Sequence, residues 1–384
     1  MTGNFPLNKF QDLETPFYYY DTEILRKTLK AVREESGKYG YHTHYAVKAN
    51  ANPRILSIIQ ENGLGADCVS GGEIQAALDA GFPSDKIVFA GVGKADWEIN
   101  LGLDQNIFCF NAESIPELEV INELAGKKNK TAPVALRLNP EVDAHTHSHI
   151  TTGLKENKFG INFSQLDEVL DRMKSLNNLK LIGIHFHIGS QITDVEPFKG
   201  LCSRAKEIQD RIFGRGIVLE HINFGGGLGI NYEQPDQEAI PDFKTYFELF
   251  HTHFPVRENQ QVHFEPGRSI VGQCGSLVSK VLYVKEGSVK KFAILDAGFT
   301  ELIRPVLYEA YHEIENISSD DAMDTYDVVG PVCESSDCFA KAVKLNKVSR
   351  GDIFVLRSAG AYGETMASQY NSRRLPKTYF SDLI

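Results

Sequence analysis

A lysine at the end of a short β-type segment is the side chain best suited to covalent chemistry. Lys48 follows segment 42–47 in the run Tyr-Ala-Val-Lys-Ala-Asn, and a turn and a helical pattern that begins at Pro53 come next. An amine held at a strand end can form a Schiff base with a carbonyl compound. A lone lysine is more often a solvated loop residue, so this interpretation depends on the side chains that accompany it.

Two later segments have the composition of a phosphate site. The triplet Gly225-Gly226-Gly227 follows a predicted strand, and adjacent glycines let backbone N–H groups approach an oxyanion. The segment Glu265-Pro266-Gly267-Arg268 follows the next predicted strand. Glycine triplets also form ordinary turns. In (β/α)8 barrels, however, phosphate sites are frequently built from the loops after strands seven and eight, so the two segments support each other.

Further side chains suit an aromatic, phosphorylated ligand. A carboxylate at Glu265 can keep a heterocyclic nitrogen protonated, which makes the ring an electron sink, although it could equally be a surface carboxylate. His185 and His187 share one face by strand alternation, and we expect His187 to stack on a ring and Ser190 to bind a phosphate oxygen. No acidic ligand or third histidine is suitably spaced nearby, so we expect no metal site here.

Three alternating histidines lie in a polar loop after Asn139-Pro140, and we predict that they are not metal ligands either: His145, His147 and His149.

The C-terminal third contains polar loops with reactive side chains. Cys333 and Glu334 are neighbours in segment 331–337, and Tyr362 lies in a Gly-Ala-Tyr-Gly run. A buried structural cysteine is the usual alternative, but a glutamate neighbour in a polar loop argues against it. Arg304 and Tyr308 are four residues apart, so on a helix they would share a face that suits a carboxylate.

The elements that must position these residues alternate regularly. Eight β-type segments are separated by amphipathic helical patterns, which predicts a (β/α)8 barrel. A doubly wound open sheet is the alternative, but the polar and glycine-rich signals follow strands of both halves rather than one switch point. The predicted strands are 42–47, 65–69, 86–90, 107–110, 133–138, 179–185, 219–224 and 261–264. The predicted helices include 53–61, 72–80, 114–124, 165–176 and 198–212.

The ends of the chain follow another pattern. An aromatic strand at 17–21 precedes a helix that begins at Thr22, and after Ser269 β-type segments follow one another without long helices. We therefore predict an α/β barrel domain over 22–268 and a second, mainly antiparallel β domain formed by 1–21 and 269–384. Within it, the predicted strands are 275–284, 291–295, 325–329 and 353–356. The segment 308–324, which is acidic and rich in serine and asparagine near its end, predicts a surface excursion.

Composition narrows the function to small-molecule chemistry. The chain has 384 residues, 42% of them hydrophobic, with a formal net charge of -11 and no basic cluster, which disfavours nucleic-acid partners. No apolar run is long enough for a membrane span, and the first 21 residues lack the features of a signal peptide, so we expect a cytoplasmic protein. The six cysteines form no CxxC pair and are expected to be reduced thiols.

The motifs, in their order, resemble the diaminopimelate decarboxylase branch of the fold-type III pyridoxal-phosphate decarboxylases. The resemblance runs from about Thr15 to the C-terminus. Two of the motifs, GLKENKFGI and CES, point to this branch in particular. The motifs are YAVKAN around Lys48, NPEVDAHTH from Asn139, GLKENKFGI from Gly153, HIGSQ from His187, GGGLGI from Gly225, EPGRS from Glu265, CESSD from Cys333 and GAY ending at Tyr362.

The resemblance implies pyridoxal 5'-phosphate as cofactor and decarboxylation of meso-diaminopimelate to L-lysine as the reaction. It implies that Lys48 carries the cofactor, that His187 stacks on its ring and that Glu265 faces its nitrogen. The implied cofactor-binding residues are Lys48, His187, Ser190, Gly225, Gly226, Gly227, Glu265, Pro266, Gly267, Arg268 and Tyr362. The implied substrate-binding residues are Arg268, Arg304, Tyr308, Glu334 and Tyr362.

It also implies a homodimer with shared active sites, in which Cys333 donates a proton across the interface. Two alternatives remain open: an ornithine, arginine or carboxynorspermidine decarboxylase of the same fold type, and a noncatalytic binding protein that keeps the barrel. The joint presence of Lys48, Glu265 and Cys333 argues against the second.

Overall fold

The computed structural model describes residues 5–142 and 158–384 of the chain. The described strands are β1 Phe17–Tyr20, β2 His42–Ala46, β3 Gly65–Cys68, β4 Ile87–Phe89, β5 Cys109–Ala112, β6 Ala132–Asn139, β7 Ile161–Asn162, β8 Leu179–His185, β9 His221–Asn223, β10 Gln261–Phe264, β11 Gly275–Glu286, β12 Lys291–Leu295, β13 Ile314–Asn316, β14 Met323–Val329, β15 Cys338–Asn346, β16 Ile353–Leu356 and β17 Lys377–Phe380. The described α-helices are α1 Leu7–Phe10, α2 Thr22–Gly37, α3 Pro53–Glu61, α4 Gly71–Asp79, α5 Asp96–Gln105, α6 Ile115–Lys127, α7 Leu166–Met173, α8 Glu196–Gly214, α9 Phe243–His253, α10 Arg268–Val271 and α11 Arg304–Tyr308.

Eight parallel strands close into a barrel. Strands β2, β3, β4, β5, β6, β8, β9 and β10 pair in this order, and β10 pairs with β2 to complete the ring. The short β7 adds to β6 outside the ring. The predicted (β/α)8 barrel is confirmed, and the open doubly wound sheet is excluded because no barrel strand is left as an edge.

Local capping starts the helices directly after the strand ends. The Asn52 side chain accepts a hydrogen bond from the Arg54 N–H, with Pro53 in the first turn of α3. Ser70 and Ser114 cap α4 and α6 in the same way. The loops after the carboxyl ends of these strands are therefore short.

Contact patterns divide the chain into two compact units. The barrel unit contains the described parts of Leu29–Gly229 and Asp242–Gly267, and the β-rich unit contains the described residues up to Thr28 together with Ile230–Pro241 and Arg268–Ile384. The segment Ile230–Pro241 therefore groups with the β-rich unit, a grouping that the order of strands and helices does not reveal.

The β-rich unit is mainly antiparallel, as predicted. Strand β11 pairs antiparallel with β1, β12 and β16, while β13 pairs antiparallel with β16 and β14 with β15. Only β1 with β17 and β12 with β14 are parallel pairs among its described strands. Part of its core is an apolar cluster that includes Phe10, Phe17, Val278, Ile353 and Val355.

The predicted surface excursion over 308–324 is wrong in its middle. Strand β13 lies there and pairs with β16, and its residues Ile314 and Asn316 are buried. The Asn316 amide donates to Asp352 Oδ2 at 2.9 Å, so the polar side chain is satisfied inside the unit. A strand this short within an acidic, serine-rich segment has too few residues to produce a periodic pattern.

Of the described helices, none combines the length and apolar character that a membrane span requires.

Candidate functional site

Lys48 lies in a single 3-10 turn, Val47–Ala49, directly after β2. Its Nζ is 3.9 Å from Oδ2 of Asp67, whose side chain is almost fully buried while that of Lys48 is 39% exposed. Parallel pairing of β2 with β3 places Ala46 opposite Asp67, which brings the two side chains to the same strand ends. Burial and the nearby Glu265 raise the pKa of Asp67 well above its usual value, against the opposing effect of Lys48.

Glu265 is a buried carboxylate of the barrel unit with three side-chain partners. Its oxygens accept hydrogen bonds from His185 Nε2 at 2.8 Å, Asn223 Nδ2 at 2.7 Å and Asn111 Nδ2 at 3.4 Å. Burial alone would raise the pKa of Glu265, but His185, His44 and Lys48 together outweigh it and lower the pKa to about 2. The site therefore holds a fixed negative charge near Lys48.

His187 follows β8, which ends at His185. Burial lowers the pKa of His187 well below its usual value, and the positive charges of Lys48 and Arg137 add to the effect. A neutral imidazole is suited to stacking on an aromatic ring. Ser190 is half-buried three residues further along.

The glycine triplet leaves no room for side chains. Gly225 has a φ of +66°, and a Cβ there would lie 2.2 Å from the Phe186 carbonyl oxygen. At Gly226 a Cβ would lie 2.3 Å from the Glu265 carbonyl oxygen. The Gly225 N–H donates to Asn223 Oδ1 at 2.8 Å, whereas among the described residues no acceptor pairs with the N–H groups of Gly226 and Gly227. Two adjacent N–H groups are thus available to an anion.

The loop after β10 packs against the lysine strand. The Pro266 carbonyl accepts a hydrogen bond from the Ala46 N–H at 3.2 Å, and a Cβ at Gly267 would lie 3.0 Å from the Ala46 Cβ. The predicted phosphate and lysine segments therefore meet at one end of the barrel.

This donor set fits pyridoxal phosphate. Lys48 offers an amine for the aldehyde, Glu265 an anion for a protonated ring nitrogen, and the glycine triplet N–H groups for the phosphate. In addition, Asp67 Oδ1 and His185 Nδ1 are buried without a hydrogen-bond partner among the described residues. Buried unpaired polar atoms are costly, so the site is prepared for a polar ligand.

The β-rich unit contains a second cluster, which buries two arginines. Arg268 begins α10 and Arg304 begins α11, and both are buried. Both guanidinium groups lie over the Tyr232 ring, at 5.8 Å and 4.9 Å from its centroid, and Arg268 also lies 4.9 Å from the Tyr362 ring centroid. Arg268 Nη1 donates to the Tyr232 hydroxyl. We call Arg268, Arg304, Tyr232, Tyr362 and His312 the arginine cluster.

A neutral base rather than a carboxylate contacts Arg304. Its Nη1 lies 2.9 Å from His312 Nε2, and its buried Nε has no hydrogen-bond partner among the described residues. Nor does any described carboxylate form an ion pair with Arg304. Two buried cations with aromatic and imidazole neighbours suit an anionic ligand. Burial lowers the pKa of Arg268, but Tyr232, Tyr362 and, to a smaller extent, Tyr308 at the end of α11 outweigh it and raise that pKa.

The loop of Cys333 and Glu334 is held by Asp337. Oδ2 of Asp337 accepts from the Val332 N–H and Oδ1 from the Phe299 N–H, both at 2.7 Å. Cys333 and Glu334 are exposed, and Glu334 accepts a hydrogen bond from the Tyr370 hydroxyl at 2.8 Å. The anchored loop thus presents a thiol and a carboxylate to its surroundings.

Sequence reasoning missed several residues of these clusters. Asp67, Asn111 and Asn223 are polar residues that are buried in barrel strands, and a polar residue near the end of a β-type segment is a signal that could have identified them. Tyr232 carries no comparable signal, because only the tertiary fold brings it to the arginines. His312 lies eight residues after Arg304, outside the helical spacing that singled out Tyr308.

Some predicted features fall outside the described residues. His145, His147 and His149 and most of the GLKENKFGI motif are among them. Within 5–142 and 158–384, no group of three or more His, Cys, Asp or Glu side chains is arranged to hold a metal ion.

Comparisons with known proteins agree with the donor set. Residues 22–272 match the family model described as pyridoxal-dependent decarboxylase, pyridoxal binding domain. The chain is 64% identical over 383 residues to a diaminopimelate decarboxylase of Bacteroides thetaiotaomicron, covering 100% of this chain and 99% of that protein. A second, from Neisseria meningitidis serogroup B, is 43% identical and covers 94% of this chain and 86% of its own length.

A solved structure is also similar. The diaminopimelate decarboxylase of Helicobacter pylori complexed with L-lysine superposes with a TM-score of 0.92 at 40% identity, covering 97% of this chain and 93% of that one. With an amine, a fixed anion and a glycine cradle at one end of its barrel, this chain belongs to the pyridoxal-dependent decarboxylases, whose cofactor is pyridoxal 5'-phosphate.

Proposed function

We propose that this protein decarboxylates meso-2,6-diaminopimelate to L-lysine and CO2, the last step of lysine biosynthesis. The observation that carries the proposal is the 64% identity, over the whole chain, to a protein named diaminopimelate decarboxylase. The arginine cluster supports it, because this substrate keeps a carboxylate at its far end.

Bound pyridoxal phosphate supplies the electron sink that accepts the electron pair left when CO2 departs. Lys48 Nζ would hold the cofactor covalently and give way to the substrate amine. Glu265, charged and buried, would hold a proton on the ring nitrogen, which strengthens the sink. His185, Asn223 and Asn111 fix the carboxylate for this task.

The remaining cofactor contacts are also proposals. His187 would stack on the ring, and Ser190, Tyr362 and the N–H groups of the glycine triplet would bind the phosphate. Pro266 and Gly267, whose loop packs against β2, would also contact the cofactor.

The substrate's far carboxylate would bind Arg304, Arg268 and Tyr308, and its far ammonium group would bind Glu334. Arg268 could instead bind the cofactor phosphate, but it shares the Tyr232 ring with Arg304, which favours a common carboxylate ligand.

We further propose a homodimer with shared active sites, in which Cys333 of one copy protonates the substrate carbon held by the other. The exposure of Cys333 and Glu334 on an anchored loop supports this. Mixing inactive Lys48→Ala with inactive Cys333→Ala should restore part of the activity through hybrid dimers with one intact site. Absence of recovery, with subunit exchange demonstrated by differently tagged copies, would contradict a shared site.

A cytoplasmic location also stays a prediction.

Substrate competition tests the reaction directly. The enzyme reconstituted with cofactor should release CO2 and L-lysine from meso-diaminopimelate with a kcat/KM several orders of magnitude above that for ornithine, arginine or carboxynorspermidine. If one of these three matches meso-diaminopimelate, the substrate assignment is wrong and the related decarboxylase is the better interpretation.

Borohydride separates the enzyme from a noncatalytic binding protein. A Lys48-bound cofactor should become irreversibly attached on reduction, and peptide mapping should locate it at Lys48. Retention of the cofactor without attachment would favour simple binding.

A further inference from the structure

The imidazole of His312 has a defined tautomer. Its Nδ1 lies 2.8 Å from the Arg357 carbonyl oxygen, which can only accept a hydrogen bond. Nδ1 therefore carries the proton, and the lone pair of Nε2 points to Arg304 Nη1 at 2.9 Å. His312 is thus an acceptor toward Arg304.

The imidazole is also neutral. It is buried, and burial together with the positive charges of Arg304 and Arg268 lowers the pKa of His312 to about 3. Near neutral pH it accepts from a cation without carrying charge itself.

The carbonyl that sets the tautomer is firmly placed. The Arg357 N–H donates to the Glu313 carbonyl at 2.8 Å, next to the pairing of β13 with β16. Its guanidinium forms ion pairs with Glu315 at 2.5 Å and Asp236 at 2.6 Å. His312 is therefore anchored on a part of the β-rich unit that is held by both backbone and side-chain bonds.

A neutral acceptor has a consequence that a carboxylate would not have. It fixes the direction of the Arg304 guanidinium while leaving its charge uncompensated, so that the full charge is available to an anionic ligand. A glutamate or aspartate in the same place would orient the arginine equally well but would neutralise it.

We propose that His312 is a positioning residue for substrate recognition: through Nε2 it orients Arg304 toward the far carboxylate of the substrate and keeps that arginine uncompensated. The proposal rests on the proposed function, since it takes Arg304 as a carboxylate ligand.

An isosteric pair of variants tests the charge requirement. His312→Gln places a neutral amide oxygen near the Nε2 position, and His312→Glu places a carboxylate there. His312→Gln should keep the KM for meso-diaminopimelate within about threefold of wild type, whereas His312→Glu should raise it about tenfold or more with little change in kcat, as expected for loss of uniform binding. Equal KM values for the two variants, or a loss confined to kcat, would overturn the proposal.

A double-variant cycle tests whether His312 acts through Arg304. In an Arg304→Met background, replacing His312 by Glu should not raise KM further, because the residue through which it acts is gone. An additional, independent increase would overturn the proposal. Thermal unfolding of each variant identifies any that fail to fold. If His312→Glu fails to fold, the KM values of wild type, Arg304→Met and His312→Gln are compared instead, and a KM of His312→Gln within about threefold of wild type is the expected result.

Failure of the proposed function would show differently. If the wild type does not decarboxylate meso-diaminopimelate, the proposed function is wrong, whatever the variants show. If the wild type decarboxylates it and the Gln and Glu variants have equal KM values, only the inference about His312 is wrong.

Discussion

The barrel site and the arginine cluster both bury charge, but they do so with opposite signs. In the barrel unit, Glu265 is an ionised carboxylate that accepts hydrogen bonds from His185, Asn223 and Asn111. In the β-rich unit, Arg304 is a buried guanidinium whose described hydrogen-bond acceptor is a neutral imidazole. In each unit hydrogen-bonding side chains orient a buried charge.

The opposite signs of the two buried charges suit two different ligands. A fixed anion at the end of barrel strands suits the protonated ring of a cofactor, and paired cations suit an anionic group of a substrate. Because burial makes an uncompensated charge costly, the β-rich unit loses stability by keeping the Arg304 charge available for a ligand. Variants should therefore separate cofactor chemistry from substrate selection.

Removal of the lysine should have the largest effect. Lys48→Ala should reduce kcat by a factor of about a thousand or more, because the covalent cofactor link and its exchange with the substrate are lost. Steady-state CO2 release measures kcat, and borohydride trapping measures the covalent cofactor link. Lys30→Ala, an exposed lysine of α2, is the control and should behave as wild type. Near-normal turnover by Lys48→Ala would show that the barrel site is not where the cofactor attaches.

Removal of a cluster cation should act on the substrate rather than on the cofactor. Arg304→Met should lower kcat/KM for meso-diaminopimelate by about two orders of magnitude, as expected when a charge-assisted pair is lost. Cofactor absorbance should change little. Arg350→Met, at an exposed arginine that stacks on Tyr283, is the matched control. If Arg304→Met loses the cofactor instead, the assignment of the arginine cluster to substrate binding is wrong.

Neutralising the barrel anion should slow the chemical step while substrate selection is preserved. Glu265→Gln should lower kcat by roughly ten- to a hundredfold, since a neutral amide cannot stabilise the protonated ring as well. The ratio of kcat/KM values for meso-diaminopimelate and ornithine should stay close to that of the wild type. Glu258→Gln, at an exposed glutamate, is the control. An unchanged kcat at full cofactor content would exclude this role for Glu265.

A separate prediction concerns the acid stability of the barrel rather than its activity. His44 Nε2 lies 3.0 Å from His263 Nδ1, and burial lowers the pKa of His44 to about 4 despite the opposing charge of Glu265. His44 takes up a proton near pH 6.5 in the unfolded chain but only near pH 4 in the folded chain. Its contribution to the free energy of unfolding is therefore fully present above pH 6.5 and is lost as the pH falls through 4. The loss from His44 alone is about 3 kcal/mol.

Urea unfolding at several pH values measures this slope. His44→Gln should give a shallower dependence between pH 6.5 and 4, whereas His253→Gln, at an exposed position, should keep the wild-type slope. An identical slope in His44→Gln would show that the buried histidine is not responsible.

Much of the barrel site was accessible from the sequence because its residues lie in short segments with strong local patterns. Lys48, the glycine triplet and Glu265 each follow a β-type segment, and parallel strands bring their carboxyl ends to one edge of the barrel. The alternation of strands and helices predicted the barrel for the same reason. Strand ends were less well defined: β5 begins at Cys109 rather than Ile107, and this shift places Asn111 inside the strand.

The sequence by itself determined the periodic elements and the residue types that follow them, because hydrophobic periodicity and glycine content are local properties of the chain. Only the tertiary structure brought Tyr232 to Arg304, since these two residues come from separate segments whose contact depends on the packing of the whole unit. The tautomer of His312 was likewise decided by a backbone carbonyl 45 residues further along the chain. The charge that each site keeps available is therefore a property of long-range packing, which no local pattern encodes.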